Sequence, residues 1–130
     1  MSAITRRLAS EGCKVVLTYR SGEEKARKLA DEIEASGGSA EIGQLDLQDA
    51  AAVAAFVSDA VGRNGPMSAV VYAAGPSIKF QLVNQIATEE WARVINGDVN
   101  AAFNLVSAVL PHLREQQFGA LLAVLTAAVD

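Results

Sequence analysis

Apolar positions along the chain follow two alternating patterns. Short runs rich in branched apolar residues predict buried strands. These runs are Lys14–Thr18, Ala40–Leu45, Ser68–Ala73 and Leu121–Leu125. Between them, apolar residues spaced three and four apart predict amphipathic helices. These helices are expected over Ser2–Glu11, from Ser21 to Gly37, from Asp49 to Asn64 and from Thr88 to Gln117.

Polar residues and prolines mark where these elements begin, bend and end. Ser21 followed by Glu24 has the spacing of a capping box, and Asp49 and Thr88 precede two further helical patterns. Pro111 predicts a kink in the last helix. The irregular segment 77–87 is expected to be a loop.

The alternation of strand and helix predicts an α/β protein with parallel strands and helices on both faces. We expect a single domain over residues 1–130, with a doubly wound, Rossmann-like sheet. In such sheets ligands bind at the carboxyl ends of the strands. The residues that follow each strand are therefore the candidates for a binding site.

Composition narrows the class of protein further. Of 130 residues, 51% are hydrophobic and 20% are charged, which is the balance of a folded globular domain. A net charge of −4, with no basic cluster, argues against nucleic acid and against anionic membrane surfaces as partners. The longest apolar run, 120–129, is about half of a membrane span, and no signal peptide is evident. The single cysteine, Cys13, favours a reducing cytoplasm.

Three strand ends carry residues suited to a dinucleotide. Tyr19-Arg20-Ser21 follows the first strand, where an arginine suits a ribose 2′-phosphate and an acid would suit a free 2′-hydroxyl. Asp46-Leu47 follows the second, where a carboxylate could accept from an adenine amino group. Ala73-Ala74-Gly75 follows the third, and small residues there let a flat ring approach the backbone. Other interpretations are about as good as these binding roles. Arg20 could be a plain surface residue, and Asp46 could be a solvated turn residue.

These segments, in this order, resemble the short-chain dehydrogenase/reductase family. Residues 7–16 look like its first helix and second strand, and Tyr72-Ala73-Ala74-Gly75 resembles its Asn-Asn-Ala-Gly segment, keeping the Ala-Gly half. Residues 91–95 and 102–105 resemble its fourth helix, and 119–126 the strand that ends in its catalytic serine. The resemblance implies NAD(P)-dependent interconversion of a small alcohol and carbonyl substrate, and Arg20 favours NADP over NAD.

Two residues inherit catalytic roles from the resemblance, each with a change. Thr126 stands where the family usually has its serine, and it keeps a hydroxyl for a substrate carbonyl. Asp98 falls where the family keeps an asparagine that supports a water in the proton relay. We expect Asp98 on the apolar stripe that faces the sheet, where an unpaired carboxylate is costly. A register in which Asn100 takes the asparagine's role is the alternative.

The resemblance also implies that parts of the family pattern lie outside this sequence. The glycine-rich turn would end near Met1, and the Tyr-x-x-x-Lys pair would follow Asp130. The sequence is therefore expected to be a piece of a longer protein, without the first strand and the C-terminal strands. A non-catalytic nucleotide-binding or oligomerising remnant is the alternative to an enzyme. A second apolar stripe on the helix over residues 88–117 indicates that a second side of this helix is covered. The resemblance implies a homo-oligomer through that helix, and packing within the subunit is the alternative.

Overall fold

The computed structural model describes residues 2–125, which contain all the helices and strands expected there. In chain order they are α1 (Ser2–Ser10), β1 (Lys14–Tyr19), α2 (Glu23–Ala35), β2 (Ser39–Gln44), α3 (Ala50–Asn64), β3 (Ala69–Tyr72), a 3₁₀ turn (Val83–Gln85), α4 (Thr88–Ile95), a π-turn (Asn96–Asn100), α5 (Ala101–Gln116) and β4 (Ala120–Ala123). The chain divides into two compact units, with the boundary between Asp46 and Leu47.

The first unit is built on a parallel pair of strands. β1 and β2 pair from Lys14 opposite Ser39 to Tyr19 opposite Gln44. Helices α1 and α2 both pack against β1, because the apolar faces predicted from their spacing need cover from water. The resulting core consists of Ala9, Leu17, Ala26, Leu29 and Ile33.

The second unit contains the other parallel pair, β3 with β4, from Ala69 opposite Ala120 to Tyr72 opposite Ala123. Helix α3 packs against α5, and α5 also contacts β3. The two most deeply buried side chains of the described residues are Val53 on α3, at 0% exposed, and Val109 on α5, at 1% exposed. Apolar contact between these helices therefore forms the core of this unit.

The helix starts show one correct and two wrong cap predictions. Asp49 caps α3, since its side chain accepts from the backbone N–H of Ala52 at 3.0 Å. The Ser21 capping box is wrong because Gly22, at a left-handed φ of 84°, is the residue that precedes α2. Thr88 is also not a cap, because it is already the first helical residue and Ala87 precedes it.

Alternating helices and parallel strands confirm the α/β class. The strands of the described residues form two separate two-stranded ladders, β1 with β2 and β3 with β4. This arrangement is the incomplete sheet that the sequence predicts.

Candidate cofactor-binding site

The end of β1 presents its polar residues to solvent. Gln44 Nε2 donates to the carbonyl of Arg20 at 3.2 Å, and the N–H of Leu45 donates to the carbonyl of Tyr19 at 2.8 Å. These bonds fix the backbone where β1 ends beside β2. Arg20 and Ser21 are exposed, so the guanidinium is accessible to an anion in solution.

Tyr19 is half-buried at the same strand end. Burial raises the pKa of its hydroxyl, and the neighbouring Glu23 carboxylate raises that pKa further. Glu23 itself pairs with Arg27 at 2.6 Å, and this partner lowers the pKa of the Glu23 carboxyl. Tyr19 is therefore a neutral hydrogen-bonding group at physiological pH.

The segment after β2 passes from the first unit into the second. Asp46 is exposed and is the last residue of the first unit, whereas Leu47 is half-buried and opens the second. The carbonyl of Leu47 accepts from Asn104 Nδ2 on α5 at 2.9 Å. A side chain 57 positions further along the chain thus fixes this segment.

The end of β3 is open at its backbone. Ala73 is half-buried, whereas Ala74 and Gly75 are exposed. A Cβ added at Gly75 would meet nothing within 4 Å. The N–H of Val124 donates to the carbonyl of Tyr72 at 2.8 Å and so holds the strand end in place. The backbone at Gly75 is therefore accessible, and the binding of a flat ring there stays a prediction.

A π-turn interrupts the helix that the sequence predicts to be continuous from Thr88. Residues Asn96–Asn100 form this turn between α4 and α5. The hydroxyl of Tyr72 donates to the backbone carbonyl of Asp98 at 3.1 Å. Gly97 lies against Pro76, because a Cβ added there would be 3.2 Å from the Cβ of Pro76. The one sequence signal for the turn was a glycine inside a helical pattern, which weakens a helix.

The expected burial of Asp98 on a regular helix is wrong, because Asp98 lies in the π-turn and its side chain is exposed. Its backbone carbonyl accepts from the hydroxyl of Tyr72 at the end of β3. Asn100 is exposed too, and its Nδ2 donates to Asn96 Oδ1 at 2.6 Å. Which of the two takes the place of the family's asparagine stays a prediction.

Tyr72 is the site residue that the sequence reasoning missed. It is 6% exposed, and burial raises the pKa of its hydroxyl, with the charge of Asp98 as a second cause. Within the second unit, the structure thus joins Leu47 to α5 through Asn104, and joins the end of β3 to the turn at Asp98 through Tyr72. Tyr19, Arg20, Ser21 and Asp46 belong to the first unit. Thr126 lies outside the described residues.

Metal ligation and membrane spanning depend on features that are absent between residues 2 and 125. No group of three or more His, Cys, Asp and Glu side chains in that range could hold a metal ion. No helix in the same range has the length and apolar character to cross a membrane.

Comparison with known proteins gives consistent matches along the chain. A family model described as short chain dehydrogenase matches residues 2–129. The 3-oxoacyl-(acyl-carrier-protein) reductase FabG of Staphylococcus aureus is 29% identical over 120 residues, which are 92% of this chain and 48% of that protein. The versicolorin reductase stcU of Emericella nidulans is 32% identical over 114 residues, which are 88% and 43%. The chain thus spans about half the length of the curated relatives it matches.

Solved structures agree with the fold. A metagenomic short-chain oxidoreductase in complex with NADP superposes with a TM-score of 0.90 at 31% identity, over 98% of this chain and 57% of that one. Serine dehydrogenase from Escherichia coli gives a TM-score of 0.81 at 27% identity, over 92% and 54%. Both resemble this chain over most of its length and over little more than half of their own.

Proposed function

The chain belongs to the short-chain dehydrogenase family of oxidoreductases, and from this premise we propose that it takes part in NADP-dependent interconversion of an alcohol and a carbonyl group. The observation that carries the cofactor choice is Arg20, exposed directly after β1. A planar guanidinium binds a phosphate with two parallel hydrogen bonds, and an arginine near this strand end accommodates the ribose 2′-phosphate of NADP. The similar metagenomic oxidoreductase holds NADP, which supports the same choice.

The residues present fit the rest of a dinucleotide. Ser21 and Tyr19 offer hydroxyls beside Arg20, and the Asp46-Leu47 segment offers a carboxylate and a backbone for the adenine. Ala74 and Gly75 leave their backbone open, which suits the nicotinamide ring. When bound, the nicotinamide supplies or accepts the hydride.

The chain's own part in the chemistry would be to hold the substrate carbonyl and a water of the proton relay. The Thr126 hydroxyl would donate to the carbonyl oxygen of a small-molecule substrate, in the role that the family gives to serine. The exposed carboxylate of Asp98 would bind a water in place of the family's asparagine. The variant Thr126→Val tests the first role, and Asp98→Asn tests the second. For each variant alone, the measurement is the turnover of a carbonyl substrate.

An NADPH titration followed by nicotinamide fluorescence, with NADH alongside, tests the cofactor proposal. We expect saturable binding with NADPH preferred, and we expect Arg20→Ala to weaken NADPH binding about tenfold at low salt while leaving NADH nearly unchanged. Arg114→Ala, which removes another exposed arginine, is the matched control. An equal effect of Arg20→Ala on both cofactors would contradict the assignment to the 2′-phosphate. A folded chain that binds neither cofactor would favour the non-catalytic remnant instead.

A second copy of the chain is the partner we propose for the helix over residues 88–117. Trp91, Val99 and Phe103 on this helix are 60%, 56% and 69% exposed, which is unusual for large apolar side chains. Covering them with the same face of another copy would form a two-fold interface. Sedimentation equilibrium tests this proposal, and Phe103→Asp should shift the chain towards monomer. A wild-type chain that stays monomeric at high concentration would refute it.

We also propose a reducing cytoplasm as the location of the protein, as its single cysteine, Cys13, suggests.

A further inference from the structure

The π-turn between α4 and α5 departs from regular helical hydrogen bonding. Its backbone hydrogen bonds span five residues instead of the four of an α-helix. The N–H of Ala101 donates to the carbonyl of Asn96, five residues back. Such turns are rare and occur mostly as single turns inside α-helices, frequently at functional sites. A turn of this kind persists where neighbouring groups hold it.

Tyr72 supplies that support from the end of β3. Its side chain is buried, and its hydroxyl donates to the carbonyl of Asp98 in the middle of the turn. The same carbonyl also accepts from the N–H of Ala101. Because burial and the Asp98 charge raise the pKa of Tyr72, the hydroxyl keeps the proton that this hydrogen bond requires.

The turn decides which face α5 presents. One extra residue in a helix rotates everything that follows by about 100°. With the turn in place, α5 buries Ala101 and Val109 and aims Asn104 at the carbonyl of Leu47. Without it, these three residues would leave the faces that they occupy.

The turn also contacts the segment after β3. Gly97 lies against Pro76, which directly follows the open backbone of Ala74 and Gly75. The turn therefore contacts the residue that follows one candidate cofactor segment, and it affects the other, at Leu47, through the rotation of α5.

We propose that Tyr72 is a positioning residue, whose hydroxyl holds the π-turn and thereby keeps Leu47 and Ala73–Gly75 in place for the cofactor. The holding of the turn stands on the hydrogen bonds alone. The effect on the cofactor rests on the function proposed above.

A double-mutant cycle on the full chain tests the holding of the turn. The cycle is run on monomeric chain, because Val99 also belongs to the face proposed for a second copy. Deletion of Val99, an exposed residue of the turn, should leave an α-turn in which α4 and α5 keep their faces. Tyr72→Phe should lower the urea midpoint and speed amide exchange in residues 97–102 about fivefold in the wild-type chain, and should do neither in the deletion chain. Ser107→Ala, an exposed change on α5, should leave this exchange unaltered. Equal effects of Tyr72→Phe in both backgrounds overturn the proposal.

Whether Tyr72 holds the turn can still be tested if the Tyr72→Phe chain does not fold. Deletion of Val99 should then restore its circular dichroism spectrum, because the turn that needs the hydroxyl is gone. A double variant that stays unfolded overturns the proposal.

NADPH binding tests the cofactor part separately. Tyr72→Phe should weaken NADPH binding about fivefold by fluorescence titration. Unchanged binding together with faster exchange in residues 97–102 overturns the positioning of the cofactor segments. A wild-type chain that does not bind NADPH overturns the cofactor part along with the proposed function, whereas the exchange measurement still decides whether Tyr72 holds the turn.

Discussion

Gln116 at the end of α5 joins the helix to the two strands of the second unit. Its Oε1 accepts from the N–H of Met67 at 3.2 Å, and its Nε2 donates to the carbonyls of Met67 at 2.5 Å and of Phe118 at 2.7 Å. Met67 lies two residues before β3, and Phe118 lies two residues before β4. One amide thus fixes where both strands begin.

We predict that Gln116→Met destabilises the second unit. Methionine keeps the length and the helix propensity of glutamine, so the loss of the three hydrogen bonds dominates. At about 1 kcal/mol for each, and with the two bonds to Met67 partly buried, the expected loss is about 2–3 kcal/mol. For a small domain in urea this corresponds to a midpoint lower by roughly 1–2 M.

Urea unfolding followed by the fluorescence of Trp91, the only tryptophan, measures this loss in the unit that contains Gln116. Gln117→Met is the matched control, because the neighbouring glutamine is exposed and its change should stay within about 0.5 kcal/mol. If the two variants unfold at the same urea concentration, the amide does not hold the strands and the reasoning is refuted.

Three further predictions concern backbone, cap and charge. Gly119→Ala should cost about 2–4 kcal/mol in urea unfolding, because φ is 118° and the new Cβ would lie 2.7 Å from Leu113 Cδ2; a cost below about 1 kcal/mol would contradict the close approach. Asp49→Ala should cost about 1 kcal/mol through loss of the α3 cap, and Asp49→Asn should recover most of it in the same assay. Arg6 lowers the pKa of the Glu32 carboxyl below 4.5, so the stability from this pair is present above pH 4.5 and is lost as the pH falls through the lowered value. Arg6→Ala should therefore flatten the acid limb of a plot of thermal midpoint against pH, and an unchanged limb would show that the pair contributes nothing.

The order and type of the elements could be predicted from the sequence because they follow from local spacing. Ala26, Leu29, Ala30 and Ile33 recur three and four apart, and all four are buried in α2. Ser21 failed as a cap because glycine at the next position can take a left-handed φ that no local pattern foretells. The residue at which such a helix begins depends on the backbone φ of a single residue.

Part of the candidate site could also be predicted from the sequence, and part could not. Its strand-end segments could be found from their places in the pattern, since parallel strands present their carboxyl ends to a ligand. The bonds from Tyr72 to Asp98 and from Asn104 to Leu47 could not, because they join residues 26 and 57 positions apart. The exposure of Asp98 was missed because a regular helix was expected where the structure has a π-turn, and a single glycine was the only local signal for that turn.

The two strand ladders differ in how much chain must be made before each can close. Lys14 finds its partner at Ser39, whereas Ala69 must wait for Ala120, roughly twice as far along the sequence. A longer loop costs more entropy to close, by about 0.6 kcal/mol for each doubling, and its contacts form later. During synthesis, the first ladder can assemble while α3 is still being made. The second must wait until β4 has left the ribosome, and until then the edge of β3 that pairs with β4 lacks this partner.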